Sequence, residues 1–517
     1  MAGQSVDTAR WIGVAVLAVA CGGAVAQTAT IGSETGASRR LADGEEYSLP
    51  TDELIATGAQ LFSASWTIEE GAGRPLTKGT GEPLSDPSRS LSFPFGFNRI
   101  SAPDANSCAG CHNLPFPGGG GDIVANVFVL AQRFDFATFD ENDPVPLRGV
   151  VDETGGRSRL QDIGNSRGTV GMFGAGYVEL LARAMTAELQ AQRDALAPGS
   201  SVALRALGVG FGRLERMADG RYDTSAVAGL PAISLSGSLP NLVVRPFHQS
   251  GAVVSIRQFT NNAMNHHHGI QTTERFGAGD ADGDGFVNEM SRAEVTAVSV
   301  FQATLQVPGR MIPRDETLRA AVGHGERLFI DVGCGDCHRP SLPLADTVYT
   351  EPNPYNPPGN LRPGDVSAPL SIDLNDPRLP GIRLRAGKDG ITRVPAYTDL
   401  RLHRIYESGD PNCEILNQSN GSLHSESCWF LTRKLWGVAS EPGYGHHGQF
   451  TTLREAVEAH SGEATPVMHN FWARSSADRD DIIEFLKSLR TLPDTVTAAA
   501  VDDRLLPTTW PAPGTRR

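Results

Sequence analysis

The sequence has less positive than negative charge, and beyond its N-terminus it lacks long apolar runs. Its 45 Lys and Arg stand against 59 Asp and Glu, a formal net charge of −14, which argues against a nucleic-acid binder. No later stretch is apolar enough for a membrane helix. No series of alternating apolar and polar residues indicates a sheet-based core. These absences favour a helical protein that does not bind nucleic acid.

The N-terminus has the pattern of an export signal. Arg10 precedes the apolar run WIGVAVLAVACGGAVA, which is too short to span a bilayer. Ala24-Val25-Ala26 fits a small-x-small cleavage site, so we predict that residues 1–26 are a signal peptide and that Gln27 begins the exported chain. A buried first helix is the alternative. Cys21, in LAVAC, leaves lipoprotein processing and a lipid anchor as a minor variant.

Cysteine is scarce, and its placement is informative. Of seven cysteines, one lies in the predicted signal peptide and four form two C-x-x-C pairs. Cys413 and Cys428 remain, separated by the polar stretch EILNQSNGSLHSES. Export implies an oxidising compartment, so we predict that these two form a disulfide that closes a surface loop. Two reduced thiols are the alternative.

A histidine follows each C-x-x-C pair, in CAGCH at 108–112 and CGDCH at 334–338. C-x-x-C-H is the attachment sequence of c-type haem: the cysteines form thioether bonds to the porphyrin, and the histidine binds iron. At this chain's Cys and His frequencies, about two chance matches are expected per thousand such chains. A redox dithiol does not need the histidine twice, and zinc would require the pairs to converge. We predict two covalently attached haem c groups, held by Cys108, Cys111 and His112 and by Cys334, Cys337 and His338.

Three other segments also occur twice. GAQLF (58–62) matches GERLF (325–329), AVSVFQATL (297–305) matches DIIEFLKSL (481–489), and HHG occurs at 267–269 and 446–448. Small c-type cytochromes pack an N-terminal helix against a C-terminal helix beside the haem, and the first two segment pairs fit those roles. An insert rich in Gly, Pro and Ser separates Phe62 from Cys108.

The predicted fold class is therefore mainly α, with two tandem cytochrome c-like domains, long loops and insertions, and a pseudo-two-fold relation between the halves. An N-terminal linker, 27–49, follows the signal peptide. The predicted domains cover 50–312 and 321–492, and a tail covers 493–517.

These features together resemble the bacterial di-haem cytochrome c peroxidase superfamily, which includes quinone-maturing di-haem enzymes, and more closely its di-haem oxidoreductase branch. The closer match is carried by NHHHGIQTTERFG (265–277), GDADGDGFVNE (279–289), GCGDCHRP (333–340), AYTDLRLH (396–403) and LWGVASEPGYGHHGQFTTLREAVEAHSGEA (435–464). One segment departs from that branch. After AYTDLRLH the chain reads RIYESGDPNC, where the branch often continues with Asp-Met-Gly.

The resemblance implies a periplasmic oxidoreductase whose two haems differ. The C-terminal haem would accept electrons with both axial positions filled, and the N-terminal haem would need an open position to reduce hydrogen peroxide. A small redox protein of cytochrome or cupredoxin type is the implied electron donor, and a homodimer is compatible with the resemblance. The alternatives are a non-enzymatic di-haem electron carrier and a di-haem enzyme that oxidatively modifies a partner protein.

The resemblance also implies the second axial ligand of the C-terminal haem. The family places it fourteen residues after the histidine of a Y-x-H-x-G element, and counting from His446 in YGHHG gives His460. Two histidine ligands would give a lower reduction potential than a His/Met pair. Met468 and His469 are the reserve candidates, and a surface histidine is the alternative interpretation of His460.

The N-terminal haem needs groups on its distal side, and NHHHG aligns with YGHHG through HHG. His267 then corresponds to His446, near the haem edge between the halves. His266 and His268 are candidates for a distal ligand or for the group that protonates the departing peroxide oxygen. Glu274 and Arg275 complete the predicted catalytic set as proton acceptor and charge stabiliser. A charged pair on a solvated helix is the alternative for these two.

The segment DADGDG (280–285) resembles an EF-hand-like calcium loop. Asp280, Asp282 and Asp284 stand at alternate positions, and Gly285 lies where the loop turns sharply. The twelfth position is Ser291 instead of Glu, so Glu289 or Glu294 would have to substitute. We predict a calcium ion here as a further cofactor, with an Asp/Gly surface turn as the alternative.

Overall fold

The structure is a computed structural model that describes residues 31–73, 105–126, 165–280, 284–410, 412–416 and 425–510. The chain divides into two units, residues 1–33 and 34–517, and the fold and the site belong to the second. The predicted signal peptide and Asp282 lie outside the described residues. None of the helices in the described ranges combines the length and the apolarity that a membrane crossing requires.

The α-helices of the described ranges vary from one turn to 20 residues. In chain order they are α1 (Thr51–Ser63), α2 (Cys108–Cys111), α3 (Ala175–Asp194), α4 (Ala232–Leu235), α5 (Ile256–Ala263), α6 (Thr273–Phe276), α7 (Arg292–Thr304), α8 (Glu316–Asp331), α9 (Leu453–Glu458), α10 (Thr465–Trp472) and α11 (Ser476–Ser488). Between α5 and α6, Met264–His268 form a π-helical turn.

The strands are short and numerous. They are β1 (Gly121–Asn126), β2 (Asn165–Thr169), β3 (Ser200–Ala206), β4 (Val209–Arg216), β5 (Tyr222–Asp223), β6 (Gly309–Ile312), β7 (Leu342–Leu344), β8 (Val348–Glu351), β9 (Leu370–Asp373), β10 (Thr392–Val394), β11 (Leu402–Arg404), β12 (Glu414–Leu416), β13 (Ser425–Ser427), β14 (Trp429–Leu431), β15 (Leu489–Arg490) and β16 (Ala500–Asp502). Antiparallel pairs join β1 to β2, β7 to β10, β8 to β9, β11 to β14 and β12 to β13. The larger sheets have the orders β3-β4-β5 and β15-β6-β16.

The predicted fold class, mainly α, is wrong. Of the described residues, 34% are helical and 16% lie in strands of several small sheets, so the fold is mixed. The segments that connect the helices form short strands, and the backbone N–H and C=O groups of these strands hydrogen-bond to each other. Most of these strands have two to five residues, too few to leave a periodic pattern in the sequence.

One sheet did leave a signal that the sequence analysis missed. Leu204 and Ala206 on β3, and Val209 and Phe211 on β4, alternate with more exposed residues and are buried against α3. This alternation is typical of a strand with one face on a core. The β3-β4-β5 sheet and α3 contribute to the largest hydrophobic core of the molecule.

The first helix pair consists of α1 and α7. They cross closely at Gly58, where an added Cβ would lie 2.0 Å from the carbonyl oxygen of Ala297. Phe62, further along α1, packs on Phe301 of α7 with ring centroids 5.2 Å apart. Only glycine permits this approach of backbone to backbone. The pair forms a second core, together with Trp66 and Met264.

The second helix pair consists of α8 and α11. An added Cβ on Gly325 would lie 1.8 Å from the carbonyl oxygen of Asp481, and Phe329 packs on Phe485 with ring centroids 5.2 Å apart. The repeated segments of the sequence therefore occupy matching places: each repeated glycine meets the first residue of the partner segment, and each repeated phenylalanine meets its phenylalanine. The domain bounds 50–312 and 321–492 stay a prediction.

The two helix pairs are connected by a sheet. Strand β6 follows α7, and it pairs antiparallel with β15, directly after α11, and parallel with β16. Strand β16 lies in the segment predicted as a tail, so that segment takes part in the fold. The connection makes residues 34–517 one compact unit.

Candidate functional site

The first C-x-x-C-H motif folds as one helical turn, α2. The backbone N–H of His112 donates to the carbonyl of Cys108 over 2.8 Å. His112 Nδ1 lies 3.1 Å from the carbonyl oxygen of Gly119, which can only accept, so Nδ1 carries the proton and Nε2 keeps its lone pair. Burial lowers the pKa of His112 to about 4. The hydrogen bond to Gly119 raises this pKa, and the nearby His267 lowers it further. His112 is thus a neutral imidazole with one nitrogen available to a metal.

The second motif has the same arrangement. His338 donates its backbone N–H to Cys334 over 2.9 Å, and its Nδ1 lies 3.2 Å from the carbonyl oxygen of Tyr397. Burial, reinforced by His460, lowers the pKa of His338 to about 4. Phe329 lies beside it with ring centroids 6.3 Å apart, the separation of Phe62 from His112 in the first motif. Each imidazole is therefore oriented by one carbonyl and one repeated phenylalanine.

Burial disfavours the thiolate form of the first cysteine in each motif. Burial raises the pKa of Cys108 to about 12, with a contribution from Cys111, and burial also raises the pKa of Cys334 to about 12. Redox dithiols and zinc sites use the thiolate, which a helix N-terminus or a nearby cation stabilises. These surroundings disfavour the thiolate that a redox dithiol needs.

His460 lies opposite His338. The ring centroids are 6.4 Å apart with an interplanar angle of 64°, and His460 Nδ1 lies 2.8 Å from the carbonyl oxygen of Ala456. A metal–imidazole bond is about 2.0 Å long, so imidazoles on opposite sides of one ion have centroids about 6 Å apart. Burial lowers the pKa of His460. Of the reserve candidates, Met468 packs in the core of the second helix pair and His469 is exposed.

The three consecutive histidines occupy the π-helical turn, a rare element that often marks functional sites. His268 is buried, with Nδ1 2.7 Å from the carbonyl oxygen of Ala105 and Nε2 3.5 Å from Cys108 Sγ. His267 is half-buried and acts electrostatically on His112. The structure therefore brings His267 and His268 to the first motif. His266 lies in the same turn, and its side chain is outside the described part of the structure.

Glu274 and Arg275 lie in a buried polar network. The Glu274 carboxylate forms an ion pair with Arg257, both side chains having 0% exposure, and it also accepts from Asn261 Nδ2 over 2.7 Å. Burial lowers the pKa of Arg275 to about 10, while Glu274 opposes this shift. A solvated charged pair is excluded by this burial. The catalytic role of Glu274 and Arg275 stays a prediction, because both are already occupied by neighbours in this network.

Arg257 was not found from the sequence. Besides Glu274 it binds Glu351 Oε1 over 3.0 Å, and these partners lie 17 and 94 residues away in the chain. No local spacing marks such a contact.

The sequence also did not indicate the role of residues 433–448, which contact the surroundings of both motifs. Half-buried Lys434 donates through Nζ to the carbonyl of Gly171, and buried Glu441 accepts from Arg433 Nη2 over 2.8 Å and from Gly171 N over 3.2 Å. Both Glu441 and Lys434 act electrostatically on His112. Further along, the carbonyl of His446 accepts from Gly168 N over 2.9 Å, so YGHHG contacts β2. Residues 433–448 thus connect the surroundings of the two motifs.

His403 is the centre of another buried cluster. Its Nε2 lies 2.9 Å from Asp399 Oδ2, and its Nδ1 lies 2.8 Å from Glu463 Oε2 and 4.0 Å from Cys337 Sγ. Burial opposes protonation, but the hydrogen bonds with Asp399 and Cys337 raise the pKa of His403 to about 10. Cys337, Asp399 and His403 are close enough to hold a metal ion. Because metals bind neutral imidazole and both ring nitrogens here face carboxylates, the geometry favours an imidazolium.

Of the predicted calcium loop, the structure describes Asp280, Asp284 and Gly285. Asp280 accepts from the backbone N–H of Asp284 over 3.0 Å and of Gly285 over 2.9 Å. Ser291, at the twelfth position, caps α7 in a capping box with Glu294. Glu289 is buried and accepts from Gln271 N over 2.7 Å. The calcium ion stays a prediction.

Cys413 and Cys428 form a disulfide in the structure. The four cysteines of the C-x-x-C-H motifs do not form disulfides with one another. Tyr406 and Phe430 pack with the disulfide in a small separate cluster.

Comparisons with known proteins add little. No family model matches the chain, and no curated protein matches it. One similar solved structure is hydrazine synthase of Kuenenia stuttgartiensis, pressurised with 20 bar of xenon, which is 12% identical over 93% of this chain and 100% of that chain. Its TM-score is 0.32, so the likeness carries no argument about this protein.

Proposed function

We propose that this protein is a periplasmic di-haem c-type oxidoreductase of the di-haem cytochrome c peroxidase type, which reduces hydrogen peroxide. Cys108 and Cys111 would attach the N-terminal haem, with His112 as its ligand. Cys334 and Cys337 would attach the C-terminal haem between His338 and His460. When bound, these groups supply one-electron storage at the C-terminal centre and a peroxide-reducing iron at the N-terminal centre.

The proposal rests on the imidazole pair of His338 and His460. Their centroid separation of 6.4 Å is close to the value of about 6 Å expected across a single metal ion. Each ring directs Nδ1 to a carbonyl oxygen, so each keeps Nε2 as a donor to the metal. Two half-buried neutral histidines at this separation beside a C-x-x-C pair would be the donor set of a six-coordinate c-type haem, which suits electron transfer.

The N-terminal centre is assigned to peroxide because of the groups around it. Reduction of one peroxide to two waters consumes two protons and two electrons, so this centre needs a group that holds a proton and delivers it. His268 is held between Ala105 and Cys108. His267, half-buried and within electrostatic reach of His112, is the better candidate for proton delivery.

Electrons would come from a small redox protein of cytochrome or cupredoxin type. The predicted signal peptide, residues 1–26, would bring the chain to the periplasm, where haem c is attached and such donors occur. The protein would act there alone or as a homodimer.

The first test measures the two centres directly. The full chain is produced in a host that attaches haem c, and haem is quantified per polypeptide. We expect two haems, and electron paramagnetic resonance of the half-reduced protein should show that one site becomes accessible to cyanide and reacts with peroxide. A preparation with one haem or none would refute the assignment.

The second test replaces the proposed proton donor. We expect His267→Gln to lower peroxide turnover by about 10²–10⁴-fold, the usual contribution of a general acid, while two haems remain attached. The matched control is His324→Gln, because His324 is a partly exposed histidine that pairs with Asp481 on the surface of the second helix pair. Equal turnover in both variants would exclude His267 from proton delivery.

The same measurements separate the alternatives. If both ferric haems are low-spin and neither binds cyanide nor reacts with peroxide after half-reduction, the protein is an electron carrier. If peroxide turnover with a reduced cytochrome is slow but a partner protein with a modified Trp or Tyr is trapped, the protein is an oxidant of that partner.

A further inference from the structure

We propose that His403, through its carboxylate partners, is a positioning residue that holds the turn carrying His460 in place at the C-terminal centre. The inference rests on the assignment of His338 and His460 as axial ligands, and it does not depend on the peroxidase reaction.

His403 occupies a place between the attachment motif and that turn. It lies on β11, is 5% exposed, and has Asp399 Oδ2 at 2.9 Å from Nε2. On its other nitrogen, Glu463 Oε2 lies at 2.8 Å and Cys337 Sγ at 4.0 Å. Glu463 follows His460 by three residues. One buried side chain therefore contacts both the second attachment cysteine and the segment that bears the distal ligand.

The turn that carries His460 packs against β11 and Ile405. The backbone N–H of Arg404 donates to Glu463 Oε1 over 3.1 Å, and the backbone N–H of Ser461 donates to the carbonyl of Ile405 over 3.0 Å. At Gly462, with φ of +54°, an added Cβ would lie 2.3 Å from the carbonyl oxygen of Arg404. Glu463 thus binds neighbouring residues of the strand with its two oxygens, one through the His403 ring and one through the Arg404 backbone.

His403 contributes the buried part of this attachment. The side chain of Glu463 is 44% exposed, whereas that of Asp399 is 1% exposed. An exposed carboxylate gains little free energy from a surface ion pair. Glu463 differs because its partner, the buried His403 ring, is itself oriented by Asp399, so the ring fixes the direction of the hydrogen bond to Glu463. Loss of the His403 ring would remove the hydrogen bond to buried Asp399. It would also remove the hydrogen bond to Glu463 that holds the His460 turn.

The test uses the holoprotein with both haems attached. We expect His403→Ala and Glu463→Ala to convert part of the low-spin signal of the C-terminal centre to high-spin, because His460 leaves the metal part of the time. Loss of a buried charged hydrogen bond should raise the apparent affinity of this centre for added imidazole by about tenfold or more. The signal of the N-terminal centre should not change.

Two variants serve as controls. Glu463→Gln keeps an oxygen that can accept from His403, so it should restore most of the wild-type spectrum. His324→Ala removes another histidine–carboxylate pair, His324 with Asp481 at 2.7 Å, that touches neither β11 nor the His460 turn, and it should behave as wild type. Glu463 is nearly half exposed, so a folding failure of His403→Ala would still leave Glu463→Ala as a test.

The outcomes separate the inference from the proposed function. If His403→Ala and Glu463→Ala keep the wild-type spectrum and imidazole affinity, the inference is wrong. It is also wrong if His460→Ala leaves the C-terminal spectrum unchanged, or if the holoprotein contains a transition metal that His403→Ala removes. If the wild type shows no peroxide turnover but His403→Ala opens the C-terminal centre, the inference stands and the peroxidase function fails.

Discussion

At the scale of single residues, the site depends on which ring nitrogen of each histidine is occupied. His112, His338 and His460 each direct Nδ1 to a backbone carbonyl oxygen, at 3.1, 3.2 and 2.8 Å. A carbonyl accepts but cannot donate, so it selects the tautomer whose Nε2 is a metal donor. The sequence predicted these three histidines, but the tautomer follows from backbone carbonyls that the fold places beside the rings, of which that of Tyr397 lies 59 residues away in the chain.

The identity of the ligand at position 460 should set a reduction potential. We expect His460→Met to raise the potential of one haem, since a thioether stabilises the ferric state less than imidazole does. Spectroelectrochemical titration of the holoprotein should show one potential moving upward while the other stays in place. An unchanged pair of potentials would remove His460 from the ligand set.

Lys434 should make stability depend on pH in the alkaline range. Burial lowers its pKa from 10.5 to about 8, with Glu441 opposing the shift. Between pH of about 8 and about 10.5 Lys434 is protonated more in the unfolded chain than in the folded chain. The free energy of unfolding therefore increases with pH across this range, and the cost of burying Lys434 is largest below pH of about 8. The shift corresponds to about 3 kcal/mol.

Lys434→Met removes this titration. The free energy of unfolding of wild type minus that of Lys434→Met should therefore rise by up to about 3 kcal/mol from about pH 7 to about pH 10.5. Urea denaturation across this range measures the difference, in which the titrations of other groups cancel. A difference that is constant, or that falls with pH, would show that folding does not lower the pKa of Lys434.

At the scale of secondary-structure elements, the two helix pairs follow from residues that the sequence repeats. Gly58 and Gly325 each admit a carbonyl of the crossing helix, and the repeated phenylalanines fill the space beyond. These elements were predictable because helical spacing of apolar residues is visible in one segment at a time. The small sheets were not predictable, because a strand of three residues is defined only by hydrogen bonds to its partner strand. That partner can lie 50 residues away, as it does for β7 and β10.

Close helix crossing predicts a matched pair of destabilising substitutions. In Gly58→Ala and Gly325→Ala the new Cβ meets a backbone oxygen that cannot rotate away, so we expect each to lower the free energy of unfolding by about 1–3 kcal/mol. Gly364→Ala is the control, because nothing lies within 4 Å of a Cβ there. Equal midpoints of denaturation for all three variants would contradict the close packing.

At the scale of the whole molecule, the surroundings of the two C-x-x-C-H motifs are not separable. Strand β6, next to the first helix pair, lies between β15 and β16 from the C-terminal part of the chain. Residues 433–448 contact Gly171 and Gly168 near the first motif, while Arg433 and Tyr397 hold His338 in the second. If both motifs bind haem as proposed, these contacts would fix the position of one haem relative to the other.

The connection predicts a single unfolding transition. In the holoprotein, loss of secondary structure by circular dichroism and loss of the native haem spectrum should coincide for both centres, as in a two-state process. Gly325→Ala, in the second helix pair, should lower the midpoint observed at both haems. Two separate transitions, one for each haem, would show that the halves fold independently.

The sequence by itself determined the prediction of haem attachment, because each C-x-x-C-H motif places all of its donors within five consecutive residues. It also determined the helix pairs, whose spacing is local. Only the tertiary structure decided which side chains surround them: His403 meets Glu463 across 60 residues, and Arg257 meets Glu351 across 94. Such pairs leave no mark in a single sequence, since burial selects partners by their distance in space and not by their distance along the chain.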